Sequence, residues 1–179
     1  GDCQIDNYLV GPKGDFATIS EALAVSGTGD SIQVMPGTYY ENIDFGGSSV
    51  VVESLGGPEV TIIDGAGMGP VARMYMQENA TLQGFTLQHG SSILGGGILC
   101  NGSPVIEGCI IKNNTSKLGA GIYHFENGSL GPSVSETMFC SNVGSDIHGD
   151  WIDGGGNIFE EYCEGSECPA DINGDLLVN

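Results

Sequence analysis

Apolar residues recur with a regular spacing through residues 79–142. In the segment that starts at Leu82, apolar residues stand at positions i, i+3 and i+5, with polar or glycine residues between them. The segment that starts at Ile106 repeats this pattern 24 residues later, and a third copy starts at Val134 after a further 28 residues. A repeat of this length predicts an array of units that bury their apolar faces against their neighbours.

The residues inside each copy favour short strands. β-Branched residues are common, and glycine or asparagine interrupts each copy every few residues, which disfavours a helix and favours bends. With three short strands and three bends, about 24 residues form one coil, and equivalent residues stack about 4.8 Å apart. The same offset aligns Met74 with Ile98. The predicted inward ladders are Leu82, Ile106 and Val134; Phe85, Cys109 and Thr137; and Leu87, Ile111 and Phe139.

These repeats, most clearly residues 95–129, resemble those of right-handed parallel β-helix proteins of the pectate-lyase-like superfamily. Residues 8–22 and 29–43 resemble the first coils of that superfamily, so the likeness extends over roughly residues 8–160. It implies an all-β fold, a right-handed parallel β-helix (a solenoid) of about five or six coils. The resemblance is specific for the fold alone, because one fold can carry many functions.

One helix is predicted near the start of the chain. An amphipathic pattern runs through residues 15–26, and either Asp15 or Thr18 can cap its first turn. In the proteins that the chain resembles, such a helix covers the open end of the solenoid. That end needs a cover because its strand edge and its apolar core would otherwise meet water.

The charge balance narrows the classes of partner. The 179 residues include 23 Asp and Glu but only 4 Lys and Arg, which gives a formal net charge of −19. Such a surface disfavours nucleic acids and anionic membranes, which need basic residues opposite phosphates, and it suits cations, above all Ca²⁺. The alternative is a solvated acidic coat that maintains solubility. No apolar run reaches the ~18 residues that a membrane span requires.

Six cysteines in a chain rich in Gly, Ser and Asn suggest an oxidising compartment, so we predict an extracellular or cell-surface protein. Cys109 falls on an inward ladder and can instead be a small core residue. Cys163 and Cys168 are close enough in sequence for a local bridge, although spacing alone does not decide the pairing. The start at Gly1, with no signal peptide, fits a processed exported protein and an expression fragment equally well.

The tail, residues 166–179, has the sharpest local motif and follows the predicted β-helix domain of residues 1–165. Its D-x-N-x-D pattern places oxygen ligands at alternate positions of a calcium loop. It resembles the first loop of dockerin-type calcium modules, except that Leu176 replaces the usual glycine and the sequence stops before the last acidic ligand. The alternative is a polar tail without a metal. The candidate Ca²⁺ ligands are Asp171, Asn173, Asp175, the carbonyl of Leu177, and Asn179.

The catalytic sets of the superfamily are not found in the sequence. A lyase needs a base beside a carboxylate, and the outward Arg73 and Lys112 have no acidic calcium cluster stacked beside them. A glycosidase needs two carboxyl groups facing one bond. Asp150 and Asp153 are the best pair, but Trp151 between them fits a core-closing turn better. The polygalacturonase and pectin-esterase patterns are also missing, so we predict no catalytic residue and leave an enzyme as the alternative.

The positions of the histidines and of the Asn-x-Ser/Thr sequons favour structural roles for these residues. His89 aligns with Asn113 and Ser141, which predicts a polar ladder at a bend, and neither His124 nor His148 has metal-ligand spacing. Five Asn-x-Ser/Thr sequons are candidate glycosylation sites, although coil bends themselves demand Asn and Ser, and we favour that explanation for a bacterial source. The sequons begin at Asn79, Asn101, Asn113, Asn114 and Asn127.

The sequence therefore predicts an exported, non-catalytic β-helix protein with a structural, adhesive or filament-forming role. Ca²⁺ is a predicted stabiliser, and self-association by stacking or by a donated segment is a predicted mode of assembly. The alternative is a module that binds or degrades polysaccharide on its outer face, with Tyr75, Tyr123 and Trp151 as candidate contacts. A third hypothesis is a fragment of a larger cell-surface protein whose activity lies elsewhere.

Overall fold

A computed structural model describes residues 5–125 and 130–163 of the chain. These residues form an all-β parallel solenoid of about 6 turns, with one short helix near the start. The predicted fold class is confirmed, and the helix lies at the end of the solenoid that it was expected to cover.

The described ranges contain one helix, α1 (Ile19–Val25), and a succession of short strands. In chain order the strands are β1 (Asn7–Val10), β2 (Ser31–Val34), β3 (Gly37–Tyr40), β4 (Ile43–Asp44), β5 (Val51–Ser54), β6 (Thr61–Asp64), β7 (Ala72–Gln83), β8 (Thr86–Gln88), β9 (Ser91–Leu94), β10 (Ile98–Glu107), β11 (Ile110–Lys112), β12 (Thr115–Leu118), β13 (Ile122–His124), β14 (Ser133–Ser135), β15 (Met138–Cys140), β16 (Ile147–His148), β17 (Ile152–Gly155) and β18 (Ile158–Glu160).

The strands stack in parallel on three faces of the coil. Face 1 contains β4, the first parts of β7 and β10, β13 and β16. Face 2 contains β1, β2, β5, the last parts of β7 and β10, β14 and β17. Face 3 contains β3, β6, β8, β11, β15 and β18. The short pair β9 and β12 lies in the bend between faces 3 and 1.

The three ladders predicted from the repeats are present in the core. Their members follow one another at equivalent positions of successive coils, and each is at most 1% exposed. The stacking buries an apolar side chain directly above its equivalent in the preceding coil, so the core is continuous along the solenoid axis. The confirmed ladders are Leu82, Ile106 and Val134; Phe85, Cys109 and Thr137; and Leu87, Ile111 and Phe139.

The predicted alignment of Met74 with Ile98 is wrong. Ile98 pairs with Ala72, and Met74 pairs with Cys100, so the offset is 26 residues at this position. Two register irregularities later in β7 and β10 reduce the offset to 24, the value seen between Leu82 and Ile106. β-Bulges of this kind insert residues into one strand and change the alignment within a single pair of strands.

The helix begins at Ile19, whereas the sequence pattern predicted a start at residue 15. Thr18 is the N-cap: its Oγ1 accepts the Glu21 N–H at 3.2 Å, and the Glu21 carboxylate accepts the Thr18 N–H at 3.1 Å. This reciprocal capping box fixes the first turn. Asp15 instead accepts the Leu9 N–H at 2.8 Å, so its carboxylate holds the turn before the helix.

Asparagine side chains stack at the bend between faces 3 and 1. Asn114 is fully buried; its Oδ1 accepts the Gly90 N–H at 2.7 Å, and its Nδ2 donates to the Leu87 carbonyl at 3.1 Å. One coil later, the Asn142 Oδ1 accepts the Asn114 N–H at 3.1 Å, and the Asn142 Nδ2 donates to the Ile111 carbonyl at 2.9 Å. Each side chain therefore satisfies backbone groups that the bend removes from the strand ladders.

The polar ladder lies one residue beyond the positions aligned in the sequence. His89, Asn113 and Ser141 do occupy one equivalent bend position, with φ values of 56°, 55° and 53°. Their left-handed backbone turns the chain into the bend, while the residues that follow them supply the stacked hydrogen bonds. Asparagine tolerates this backbone better than most residues, and Asn113 is the asparagine among these three.

The four cysteines in the described ranges have two different roles. Cys140, at the end of β15, forms a disulfide with Cys163, just after β18, which decides the pairing of Cys163 that the sequence leaves open. The bond ties the end of the described chain to the coil before it. Cys100 and Cys109 are free and buried, and burial raises their pKa values to about 12 and about 11. Both behave as small core residues.

Replacing Asn114 with Ala should lower the free energy of unfolding by about 2–4 kcal/mol, because the Gly90 N–H and the Leu87 carbonyl would each lose a buried partner. Urea unfolding followed by circular dichroism measures the change. Asn113→Gly is the matched control: this neighbour is exposed, and glycine accepts its positive φ. Equal stabilities for Asn114→Ala and the wild type would contradict the role of the asparagine ladder.

Candidate functional site

The structure separates the three residues predicted to contact carbohydrate. Tyr75 and Tyr123 are half-buried on the outer side of face 1, beside the buried Met74 and Ile122. Trp151 lies in the last coil, packs against the core and meets the Phe159 ring at 6.2 Å. The structure therefore brings the two tyrosines together and places the tryptophan where the core closes.

Four half-buried rings form one group on face 1, which we call the aromatic cluster: Tyr75, Tyr123, Phe125 and His148. The Tyr123 ring stacks on His148 at 5.1 Å and 11°, and it meets the edge of Phe125 at 5.0 Å and 82°. The Phe125 ring is 6.4 Å from the Tyr75 ring. The cluster therefore runs along the solenoid axis, from β7 to β16, across several coils.

Charged side chains adjoin the aromatic cluster on the same outer side of face 1. Asp44 pairs in register with Arg73, which precedes Tyr75 by two residues and shares its side of the strand. Burial raises the pKa of the Tyr75 hydroxyl; the Arg73 charge opposes this rise, and the Asp44 charge adds to it. The Tyr75 hydroxyl is therefore close enough to a guanidinium and a carboxylate on the same side of face 1 to be affected by their charges.

This combination suits a sugar ring. Aromatic faces are apolar and can cover the C–H face of a pyranose, while the hydroxyl, guanidinium and carboxylate groups beside them can bind sugar hydroxyls. Sequence reasoning identified Tyr75 and Tyr123 but missed Phe125 and His148. Phe125 follows Tyr123 by two residues, so strand alternation could have placed it on the same side. The pairing of His148 with Tyr123 has an irregular offset that the repeats do not show.

A second polar group lies at the end of face 3. The Asp64 Oδ2 contacts the His89 Nδ1 at 2.8 Å and accepts from the Gln88 amide at 2.9 Å, while its Oδ1 accepts the Ala66 N–H at 2.9 Å. An ionised carboxylate only accepts, so the His89 Nδ1 must be the donor. Burial alone would raise the pKa of Asp64, but hydrogen bonds from Gln88, Ala66 and His89 outweigh it and hold that pKa below its usual value.

The Asp64–His89 pair has a structural explanation. Asp64 is buried, and its three partners fix the bend in which His89 adopts its positive φ. Within residues 5–125 and 130–163, no group of three or more His, Cys, Asp or Glu side chains could hold a metal ion. The predicted calcium ligands of the tail, residues 171–179, lie outside the described ranges, so that prediction is not tested.

The sequons differ in accessibility. Asn79 and Asn113 are exposed, and Asn101 is half-buried, while Asn127 lies outside the described ranges. Asn114 is 0% exposed and its amide is engaged in the asparagine ladder, so a glycan on that amide is incompatible with the folded bend. Glycosylation at the other four positions stays a prediction.

No protein-family model matches the chain, and no curated protein matches it significantly. The likenesses to the pectate-lyase-like superfamily and to dockerin modules therefore rest on the residues quoted above. In the part of the chain that the structure describes, no helix combines the length and apolarity needed to cross a membrane.

Replacing Asp64 with Asn should make the free energy of unfolding fall less steeply as the pH is lowered into the acidic range. The usual pKa of an unfolded Asp is about 3.9, and the folded pKa is lower, so ionised Asp64 stabilises the fold fully above about pH 4. That contribution is lost as the pH falls through the folded pKa. Urea unfolding between neutral and acidic pH should show a shallower decline for Asp64→Asn than for wild type, and lower stability at neutral pH.

The control for this pH series is Glu59→Gln, which removes an exposed carboxylate from the same region of the solenoid. Its profile should follow that of the wild type. Parallel acid limbs for Asp64→Asn and wild type would show that Asp64 does not contribute through its lowered pKa.

Proposed function

We propose that this chain is a β-helix domain of an exported, non-catalytic protein with an adhesive role, and that face 1 binds polysaccharide. The observation that carries the proposal is the aromatic cluster. Its rings are partly exposed, they contact one another along the solenoid axis, and Arg73 and Asp44 lie on the same side of the face.

The position of the cluster favours an extended polymer over a small ligand. Equivalent positions of successive coils lie about 4.8 Å apart, so partly exposed rings at the levels of β7, β13 and β16 can meet different parts of one chain. The net charge of −19 disfavours acidic polysaccharides, whose uronate groups would be repelled unless cations intervened. A neutral polysaccharide lying along the solenoid axis is therefore the ligand that we propose.

Binding without cleavage agrees with the side chains near the cluster and in the last coil. Glycoside hydrolysis needs two carboxyl groups on opposite sides of one bond. The outward row that contains Tyr123 runs Asp44, Arg73, Leu99, Tyr123, His148 and so contains one carboxylate. Asp153, one of the pair that the sequence offered for a glycosidase, accepts the Gly155 N–H at 2.9 Å and the Asn157 amide at 2.7 Å, which is a turn-forming role.

Export is supported by the disulfide between Cys140 and Cys163, because such bonds persist in oxidising compartments. The extracellular or cell-surface location, the likeness to the pectate-lyase-like superfamily and the dockerin-like tail all belong to this proposal. In this proposal, Ca²⁺ would bind the tail at residues 171–179 and stabilise that segment.

The second candidate is self-association, and the last coil favours it. Four apolar side chains of that coil are 42–48% exposed, whereas α1 covers the opposite end of the solenoid. An unequal pair of ends favours contact between two last coils, which closes a two-fold dimer, over simple head-to-tail stacking. A filament would also need a donated segment at the end that α1 covers. The exposed residues are Ile152, Ile158, Phe159 and Tyr162.

Replacing Tyr123 with Ala should weaken polysaccharide binding about tenfold, because Tyr123 contacts both Phe125 and His148 at the centre of the aromatic cluster. Affinity electrophoresis in gels that contain neutral glucans, xylans or mannans measures retardation directly. Tyr40→Ala is the matched control: this tyrosine is 74% exposed on face 3. Retardation unchanged by Tyr123→Ala, or lost equally with Tyr40→Ala, would contradict the proposed site.

Replacing Phe159 with Ser should abolish self-association through the last coil. Phe159 is 48% exposed and stacks on Phe139 at 4.9 Å, so it continues the core ladder into the last described coil. Sedimentation equilibrium, with Ca²⁺ and then with a chelator, measures the assembly state, and Tyr40→Ser is the control. A wild-type monomer in both conditions would overturn this candidate and leave polysaccharide binding unaffected.

A further inference from the structure

Among the described residues, no strand occupies the face 3 position in the first coil of the solenoid. Face 2 begins with β1, which pairs with β2, whereas face 3 begins one coil later with β3. Strand β3 is therefore the end strand of the described six-stranded sheet and pairs with β6 on one side. On its other side lies the position where the segment after β1 would have continued the coil.

The chain leaves this position because it turns back after β1. The Gly11 N–H donates to the Phe16 carbonyl at 3.0 Å, and the Asp15 N–H donates to the Leu9 carbonyl at 2.7 Å. Phe16 then forms a parallel bridge with Val10, and the chain enters α1. The detour leaves a cavity of about 450 Å³ between residues 11–17 and 36–39.

The walls of this cavity suit an extended peptide. The Gly37 N–H donates to Val60 and the Glu41 N–H to Asp64, both in the β6 direction. Since backbone donors alternate along a strand, the N–H groups of Thr38 and Tyr40 face the empty side. An edge with outward donors accepts another strand. The apolar side chains that line the cavity are Pro12, Phe16, Pro36 and Tyr39.

We propose that this empty position, which we call the β3 slot, binds an extended segment of another protein as an added parallel strand. The backbone edge of β3 would hold the segment, and the apolar lining would accept its alternate side chains, as in other cases of strand addition. Because the net charge is −19, the segment would be apolar at alternate positions and neutral or basic at its flanks. The proposal concerns a different face from the polysaccharide site.

A second copy of this chain is a poor occupant of the β3 slot. If the last strand of one copy, β18, entered the slot as part of its own coil, β17 would fall on the position that β1 occupies on face 2. This steric conflict favours a different protein as the donor.

The test is selection of random-sequence peptides displayed on phage against immobilised wild type, Thr38→Ala and Thr38→Pro. Proline at position 38 removes an N–H on the empty side and leaves the bonds from β3 to β6 in place. Thr38→Ala keeps that N–H and controls for the side chain. Peptides enriched on wild type should bind Thr38→Ala equally and Thr38→Pro about tenfold more weakly.

Amide hydrogen exchange gives a readout that needs no variant, in case Thr38→Pro fails to fold. In wild-type protein, a selected peptide should slow exchange at Thr38 and Tyr40. The proposal is overturned if no peptide is enriched, or if enriched peptides leave the Thr38 and Tyr40 amides unprotected. It is also overturned if enriched peptides bind Thr38→Pro as tightly as wild type, or if Thr38→Pro abolishes self-association, which would identify a second copy as the occupant.

Discussion

The parallel backbone ladder between successive coils is the interaction on which the rest of this structure depends. Each strand donates to and accepts from the coils before and after it, so residues at one position of the coil are held directly above their equivalents. Ile106 between Leu82 and Val134 shows the consequence for the core. Asn114 and Asn142 show it at a bend, where side-chain amides replace the bonds that the strands cannot make.

The same ladder arranges the outer surface in rows. Asp44, Arg73, Leu99, Tyr123 and His148 follow one another because their strands are in register, although they are far apart in sequence. A solenoid can therefore build an elongated binding surface by changing outward residues alone, without disturbing the inward ones. Repetition of coils cannot protect the ends of a solenoid, since each end exposes a strand edge and a cross-section of the core. The chain meets the problem with α1 at one end and with the Cys140–Cys163 bond near the other.

The sequence predicts the coils well because the three inward ladders shift together, by 24 and then by 28 residues. It fails where a local event breaks that regularity. The register irregularities in β7 and β10 move Met74 from Ile98 to Cys100. The Asp15 carboxylate accepts the Leu9 N–H six residues earlier, and the Thr18–Glu21 capping box starts the helix at Ile19, so the apolar pattern alone places the start too early.

The candidate site is less predictable than the core for a related reason. Outward residues have no common requirement from coil to coil, so periodicity does not identify them. Tyr75 and Tyr123 were found as outward aromatic residues, but their grouping with Phe125 and His148 depends on register. Cys163 is similar: its partner Cys140 is near in space because the coil returns, although Cys168 is nearer in sequence. The β3 slot follows from topology, which no local pattern encodes.

The central claim is that face 1 is the polysaccharide-binding surface, and a hydrogen-exchange footprint of the whole solenoid tests it most directly. Exchange would be measured by mass spectrometry with and without a neutral polysaccharide that retards the protein in affinity gels. The account predicts slower exchange in β13, β16 and the first parts of β7 and β10, with no change in β11 and β15 of face 3. Protection confined to faces 2 and 3, or spread evenly over the coils, would contradict it.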